Sequence, residues 1–141
     1  MHAQGYETDF REGQRLFQER AKFTQDHLKE HLLNYPHTPY SDEIYLMQGV
    51  LYVEKGKHKQ AQKVFQKVKA KNLSRASESM YYFYWGYAYL QQGEFKKALA
   101  CMQKLKKKQT KLKITKMVKK LLSVNCVRPF LDASISFSFD D

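Results

Sequence analysis

Apolar residues in the middle of the chain fall on helical stripes, and the stripes recur. Tyr45, Gly49 and Tyr52 stand at steps of four and three, the spacing of one helix face. Tyr82, Gly86 and Tyr89 repeat that pattern 37 residues later. The correspondence runs on through Gly56 and Gly93, Ala61 and Ala98, Phe65 and Met102, and Val68 and Leu105. Each unit therefore predicts a helix, a glycine stop, and a second helix that folds back on the first. Glycine inside a helix costs about 1 kcal/mol relative to alanine, so Gly49 and Gly86 predict close approach of the second helix. Gly56 and Gly93 predict left-handed caps. The second helices begin near Lys57 and Glu94, with Ala61 and Ala98 facing the mid-helix glycines.

A diverged copy lies upstream. Thr24, Leu28 and His31 precede Ala61, Phe65 and Val68 by 37 residues, whereas Gly13 precedes Gly49 by 36, which predicts a turn one residue shorter. The run from Asn34 to Tyr40 holds Pro36 and Pro39 and breaks the helix. Ser41 is the expected N-cap of the next helix, with Asp42 and Glu43 favourably placed in its first turn. Asn72, Leu73 and Ser74 mark the following junction. The predicted organisation is an N-terminal remnant at 1–5, hairpins at about 6–40, 41–73 and 74–107, a basic capping helix at 108–126 and a loose tail at 127–141. The fold class is all-α. The alternation in Ala133–Phe139 has strand periodicity but no strand to pair with.

Gly49, Tyr52, Gly56, Ala61 and Phe65 resemble the signature of the tetratricopeptide repeat family. Gly86, Tyr89, Gly93, Ala98 and Met102 match it with methionine in the aromatic place, and Trp85 fits the family as well. The family's repeat is about 34 residues, so a period of 37 puts three extra residues in the links. The resemblance implies a right-handed α-solenoid and a non-catalytic scaffold that binds a protein or peptide in a concave groove. The junction Tyr35-Pro36-His37-Thr38-Pro39-Tyr40 resembles that of repeat proteins of the bacterial cell envelope, which implies a periplasmic or envelope location. Met1-His2-Ala3-Gln4 looks like the end of a secretory leader; an ordinary cytoplasmic start is the alternative.

The aromatic run from Tyr81 to Tyr89 covers every face of a helix. By the repeat alignment Tyr82, Trp85 and Tyr89 fall on the packing stripe. Phe83, Tyr87 and Leu90 fall on the other side with Tyr84 and, together with Leu46, Val50 and Val53, are the expected floor of an apolar partner groove. The family's chaperone-binding Lys/Asn set is absent from this groove, so a chaperone carboxylate is not the expected ligand.

Charge adds one competing function. Residues 1–60 carry 8 Lys/Arg against 9 Asp/Glu, and residues 61–141 carry 17 against 5. Nine of these lysines lie in residues 104–120, among them Lys104, Lys107, Lys108 and Lys111. The alternative function is electrostatic binding of nucleic acid or an anionic membrane surface through this patch. A third reading makes the chain a structural segment of a longer solenoid. Aromatics that would stack bases are not interleaved with the lysines in sequence.

Other chemistry is sparse. His27 and His31 are spaced for one helix face, but no third metal ligand can be placed, and they read as polar surface residues. Cys101 and Cys126 form neither a zinc pattern nor a disulfide framework, and Cys101 reads as a small core residue. No phosphate loop or nucleophile motif is present. The expectation is no enzyme activity, no cofactor, no metal and no transmembrane segment.

Overall fold

A computed structural model describes residues 3–105. Its helices are α1 (Ala3–Glu19), α2 (Thr24–Asn34), α3 (Ser41–Glu54), α4 (His58–Phe65), α5 (Arg75–Gln91) and α6 (Phe95–Gln103). A 3₁₀ turn at Ala70–Asn72 links α4 to α5. All regular structure among the described residues is helical. α1 starts at Ala3, within the stretch expected to be an N-terminal remnant. The expected basic helix and tail at 108–126 and 127–141 lie outside the described residues, as do Lys107, Lys108 and Lys111.

The chain divides into two compact units, residues 1–78 and 79–141. In the first, α1–α2 and α3–α4 form two helical hairpins. From Ile44 to Val53 every residue of α3 is buried except Tyr45 and Tyr52, which are half-buried. A helix apolar nearly all round belongs in a core. Here it packs against α4 and α2 and, more lightly, α1. Full burial of side chains such as Ile44, Val50 and Phe65 contributes about 1.5–3 kcal/mol each.

The glycine stops work as expected. The Lys57 N–H donates to Tyr52 O at 2.8 Å and the Gly56 N–H to Val53 O at 2.9 Å. Gly56 takes φ +77°. This is the Schellman closure, which satisfies the carbonyls that a helix end would otherwise leave unpaired. In the second unit Glu94 and Gly93 donate to Tyr89 O and Leu90 O, both at 3.0 Å, with Gly93 at φ +78°. The first hairpin makes the same closure without glycine. Ala21 donates to Leu16 O at 2.9 Å and Arg20 to Phe17 O at 3.0 Å, and Arg20 itself holds φ +49°.

Mid-helix glycines admit the partner helix, with one correction to the expected geometry. Gly49 faces the ring of Phe65 rather than Ala61: a Cβ would stand 2.7 Å from Phe65 Cδ1 and closer still to Cε1. The longer α4 side chain reaches back under the glycine, while Ala61 lies fully buried one turn earlier. In the second unit a Cβ on Gly86 would meet Cys101 Cβ at 3.1 Å, Ala98 O at 3.2 Å and Met102 Cε at 3.3 Å.

The proline-bearing link is held by its own residues. Tyr40 stacks on Phe10 of α1 at 4.2 Å, and the Tyr35 and Tyr40 rings both pack on Tyr6. Ser41 is the first residue of α3 rather than its cap. Its hydroxyl donates to Pro36 O (3.4 Å) and accepts from the Thr38 N–H (3.0 Å), so it ties down the preceding turn.

Candidate functional site

The aromatic helix α5 is where the expected and observed surfaces differ most. Phe83, Tyr87 and Leu90 are buried, as are Leu46, Val50 and Val53 of α3, at exposures from 0% for Val50 to 6% for Tyr87. The six residues assigned to a groove floor are therefore core side chains in this structure, not an open surface. Tyr82, Trp85 and Tyr89, assigned to internal packing, are half-buried and reach solvent. The stripe expected to be open is thus the buried one, and the stripe expected to be packed is half-buried.

The half-buried stripe is packed ring against ring, with the buried Tyr81 between Tyr82 and Trp85. Trp85 stacks on Tyr89 (5.5 Å between centroids, 23° between planes), Tyr81 packs on Trp85 at 5.1 Å, and Tyr81 lies 5.1 Å from Tyr82. Two lysines of α6 and its C-terminal end lie over it. Lys97 Nζ is 5.7 Å from the Tyr89 centroid and Lys104 Nζ 5.6 Å from that of Tyr82. Both separations suit an ammonium–ring attraction. Lys97 also lies 3.4 Å from Glu94 Oε1. Lys104, the expected start of the basic patch, makes no ion pair among the described residues. Burial raises the Tyr89 phenol above its ordinary value. Phe95, at the start of α6, is 45% exposed.

Sequence reading missed this meeting of lysine and tyrosine because it sought aromatics within the lysine run. The signal was present in the repeat: Lys67 precedes Lys104 by 37 residues, and Lys67 Nζ stands 5.6 Å over the Tyr45 ring. Each of the last two hairpins is closed by the same Tyr–Lys contact.

The histidine pair takes a different place from the one expected. His31 is a buried residue, 1% exposed, with Nδ1 2.5 Å from Asp9 Oδ2. His27 Nε2 lies 3.2 Å from Asp9 O and 3.6 Å from Asp9 Oδ1. The pair thus joins α2 to α1 and is not surface decoration. The described residues contain no cluster of three or more His, Cys, Asp or Glu able to hold a metal.

Asp42 and Glu43 anchor the next link. Asp42 accepts from the Lys69 N–H and from Asn72 Nδ2, both at 2.9 Å. Glu43 Oε1 accepts from Ser77 Oγ at 2.5 Å, and its other oxygen is buried without a partner. Burial raises the Glu43 carboxyl above the ordinary carboxylate range. Cys101 is buried against Gly86, and desolvation pushes its thiol up to about 11, which keeps it protonated and unreactive at neutral pH. No described helix is long and apolar enough to cross a membrane.

Hairpins with mid-helix glycines, Schellman stops and a 37-residue recurrence define a helical repeat protein. Residues 42–70 and 79–111 each match a tetratricopeptide repeat family model, and together they support that family for this chain. No curated protein and no solved structure matches it. Tetratricopeptide repeats generally mediate protein–protein interaction, and the family is typically a non-catalytic scaffold.

Proposed function

We propose that this chain is a protein-binding scaffold and that its partner contacts the α5–α6 hairpin over Tyr82, Trp85 and Tyr89. The observation that carries the reading is that this stripe is only half-buried, with Phe95 of α6 45% exposed, while Phe83, Tyr87 and Leu90 are buried. Tyr and Trp are the residue types that most often anchor interfaces, since each offers rigid contact area at low entropic cost.

The test places a photo-crosslinking phenylalanine analogue singly at positions 82, 83, 87 and 89 in the cell of origin. Positions 82 and 89 should yield adducts with one and the same protein. That protein, purified, should bind wild type and lose affinity on Tyr89→Ala. Adducts from 83 and 87 alone would return the function to the other stripe. We place this partnership in a bacterial envelope setting, on the resemblance of the Tyr35–Tyr40 junction alone. Recovery of the native protein in the cytoplasmic fraction alone would reject that setting.

A further inference from the structure

We infer that the α5–α6 surface takes an acidic peptide segment, whose carboxylates meet Lys97 and Lys104 while its apolar side chains lie against Tyr82, Trp85 and Tyr89. The inference rests on the proposed contact surface and adds the chemistry of what fills it.

Three observations lead there. The first is the placement of charge. Lys97 and Lys104 each stand within 6 Å of the centroid of a half-buried tyrosine ring, a separation that suits ammonium–ring attraction. Lys104 has no carboxylate partner among the described residues, and Lys97 shares one exposed glutamate. An incoming carboxylate therefore meets cations already held over the aromatic surface.

The second observation concerns the rings themselves. Single-stranded nucleic acid binds such surfaces by stacking bases on open ring faces. Here a lysine and a neighbouring ring already lie against each tyrosine. Tyr89 is stacked on Trp85 and has Lys97 over its ring, while Tyr82 packs on Tyr81 and has Lys104 over its ring. The half-buried rings offer apolar contact, and the two ammonium groups offer charge. The rings suit aliphatic and aromatic side chains, and the ammonium groups suit carboxylates. A peptide carrying both uses the whole surface, whereas a base would first have to displace a lysine.

The third is a comparison between repeats. The α3–α4 hairpin carries Lys67 over Tyr45, matching Lys104 over Tyr82, but Gln60 stands where the α5–α6 hairpin has Lys97. One such lysine is common to the last two hairpins. The second is particular to the hairpin with the aromatic surface and sits at its other end, so the two cations flank the Tyr82–Tyr89 stripe. The surrounding sequence reinforces the sign, with 17 Lys/Arg against 5 Asp/Glu in residues 61–141.

The experiment uses the full chain and three labelled probes: a short capped peptide alternating Glu with Leu and Phe, the same peptide with Gln for Glu, and an oligothymidylate of similar length. Binding is read by probe anisotropy and located by the fluorescence of Trp85, the only tryptophan in the chain. At low salt the Glu peptide should bind about tenfold or more tighter than the Gln peptide, corresponding to about 1.4 kcal/mol. Lys97→Gln with Lys104→Gln should erase that difference while helicity and melting are unchanged. The same exchange at exposed Lys29 and Lys59 should leave it intact. Equal binding of the two peptides, both lost on Tyr89→Ala, would overturn the acidic partner yet leave the contact surface standing. Binding of the Glu peptide without a change at Trp85 would overturn both. Oligothymidylate as the tightest probe, or no saturable binding by the Glu peptide, would also overturn the inference.

Discussion

The turns of the α1–α2 and α3–α4 hairpins close with the same two hydrogen bonds and different residues. In the second, Gly56 takes the left-handed position with no atom within 4 Å of where a Cβ would be. In the first, Arg20 takes it at φ +49°. An L-residue there is strained, but Arg20 brings compensation that glycine cannot. Its Nε and Nη2 donate to Glu54 at 2.8 and 2.9 Å, and its guanidinium lies 4.0 Å over the Phe17 ring. The same split appears at the mid-helix position. Gly49 has the buried Phe65 ring against it, whereas Gly13 faces the methyl end of Leu28, with Cδ2 3.2 Å from a Cβ. The repeat is thus defined by backbone geometry, and the familiar glycines are one way of reaching it.

If helix approach is what requires the mid-helix glycine, the largest effect should come where backbone closes in. Gly86→Leu pushes a branched side chain into Ala98 O, Cys101 and Met102. It should cost about 3 kcal/mol or more, the upper end of overpacking or beyond. Thermal unfolding followed by circular dichroism measures this; an unchanged melting temperature would remove Gly86 from the helix crossing.

The smaller change to alanine separates the first two hairpins. Gly49→Ala should cost about 1–3 kcal/mol, because the Phe65 ring is fully buried and has nowhere to turn. Gly13→Ala should lie within about 1 kcal/mol of wild type, since its Cβ meets Leu28 Cδ2 only at 3.2 Å, a displacement of a few tenths of an ångström at the end of a side chain, and alanine gains helix propensity. Equal losses at the two sites, in urea titrations, would break the distinction.

This asymmetry also explains what the sequence made legible. Both glycine-bearing units could be read because Gly49, Gly56, Gly86 and Gly93 mark crossings and stops by residue type. The first hairpin was harder. Arg20 carries no mark of a left-handed stop, so only the shortened spacing of Gly13 to Thr24 pointed to its turn. Periodicity grouped Tyr82, Trp85 and Tyr89 on one stripe and Phe83, Tyr87 and Leu90 on another. It could not tell which stripe meets water, because exposure depends on what packs over a helix and not on the helix's own period. The Tyr–Lys contacts join residues 22 apart and became visible only once the hairpins were folded.

At the turns, Gly56→Ala should cost about 1 kcal/mol, all of it from backbone conformation since the space is open. Arg20→Gly should be near neutral, as relief of strain offsets the lost contacts. Arg20→Ala keeps the strain and loses the Glu54 pair and the ring contact, and should cost about 1 kcal/mol. An Arg20→Ala variant as stable as Arg20→Gly would mean that the left-handed Arg20 carries no strain.

The smallest effect tests the start of each hairpin through pH. Glu43 on α3 and Glu7 on α1 are counterparts at the 36-residue spacing, but Glu7 is exposed and lies 3.8 Å from Arg11, whereas Glu43 is half-buried against Ser77. Burial raises the Glu43 carboxyl above its ordinary value of 4.5, partly offset by the Ser77 hydroxyl. The sign follows from proton uptake. Between the unfolded and folded values the folded chain holds a proton that the unfolded chain has released, so stability falls as pH rises through that window. Below the window the group contributes no penalty, and above it the penalty is constant. Gln cannot ionise, so Glu43→Gln should lose less stability than wild type as pH rises from 4.5 toward neutral, whatever the offset between the two proteins. The difference between their urea midpoints should therefore drift steadily in favour of the variant. Midpoints that run parallel across this range would show that the Glu43 carboxylate is as well solvated in the folded chain as in the unfolded one.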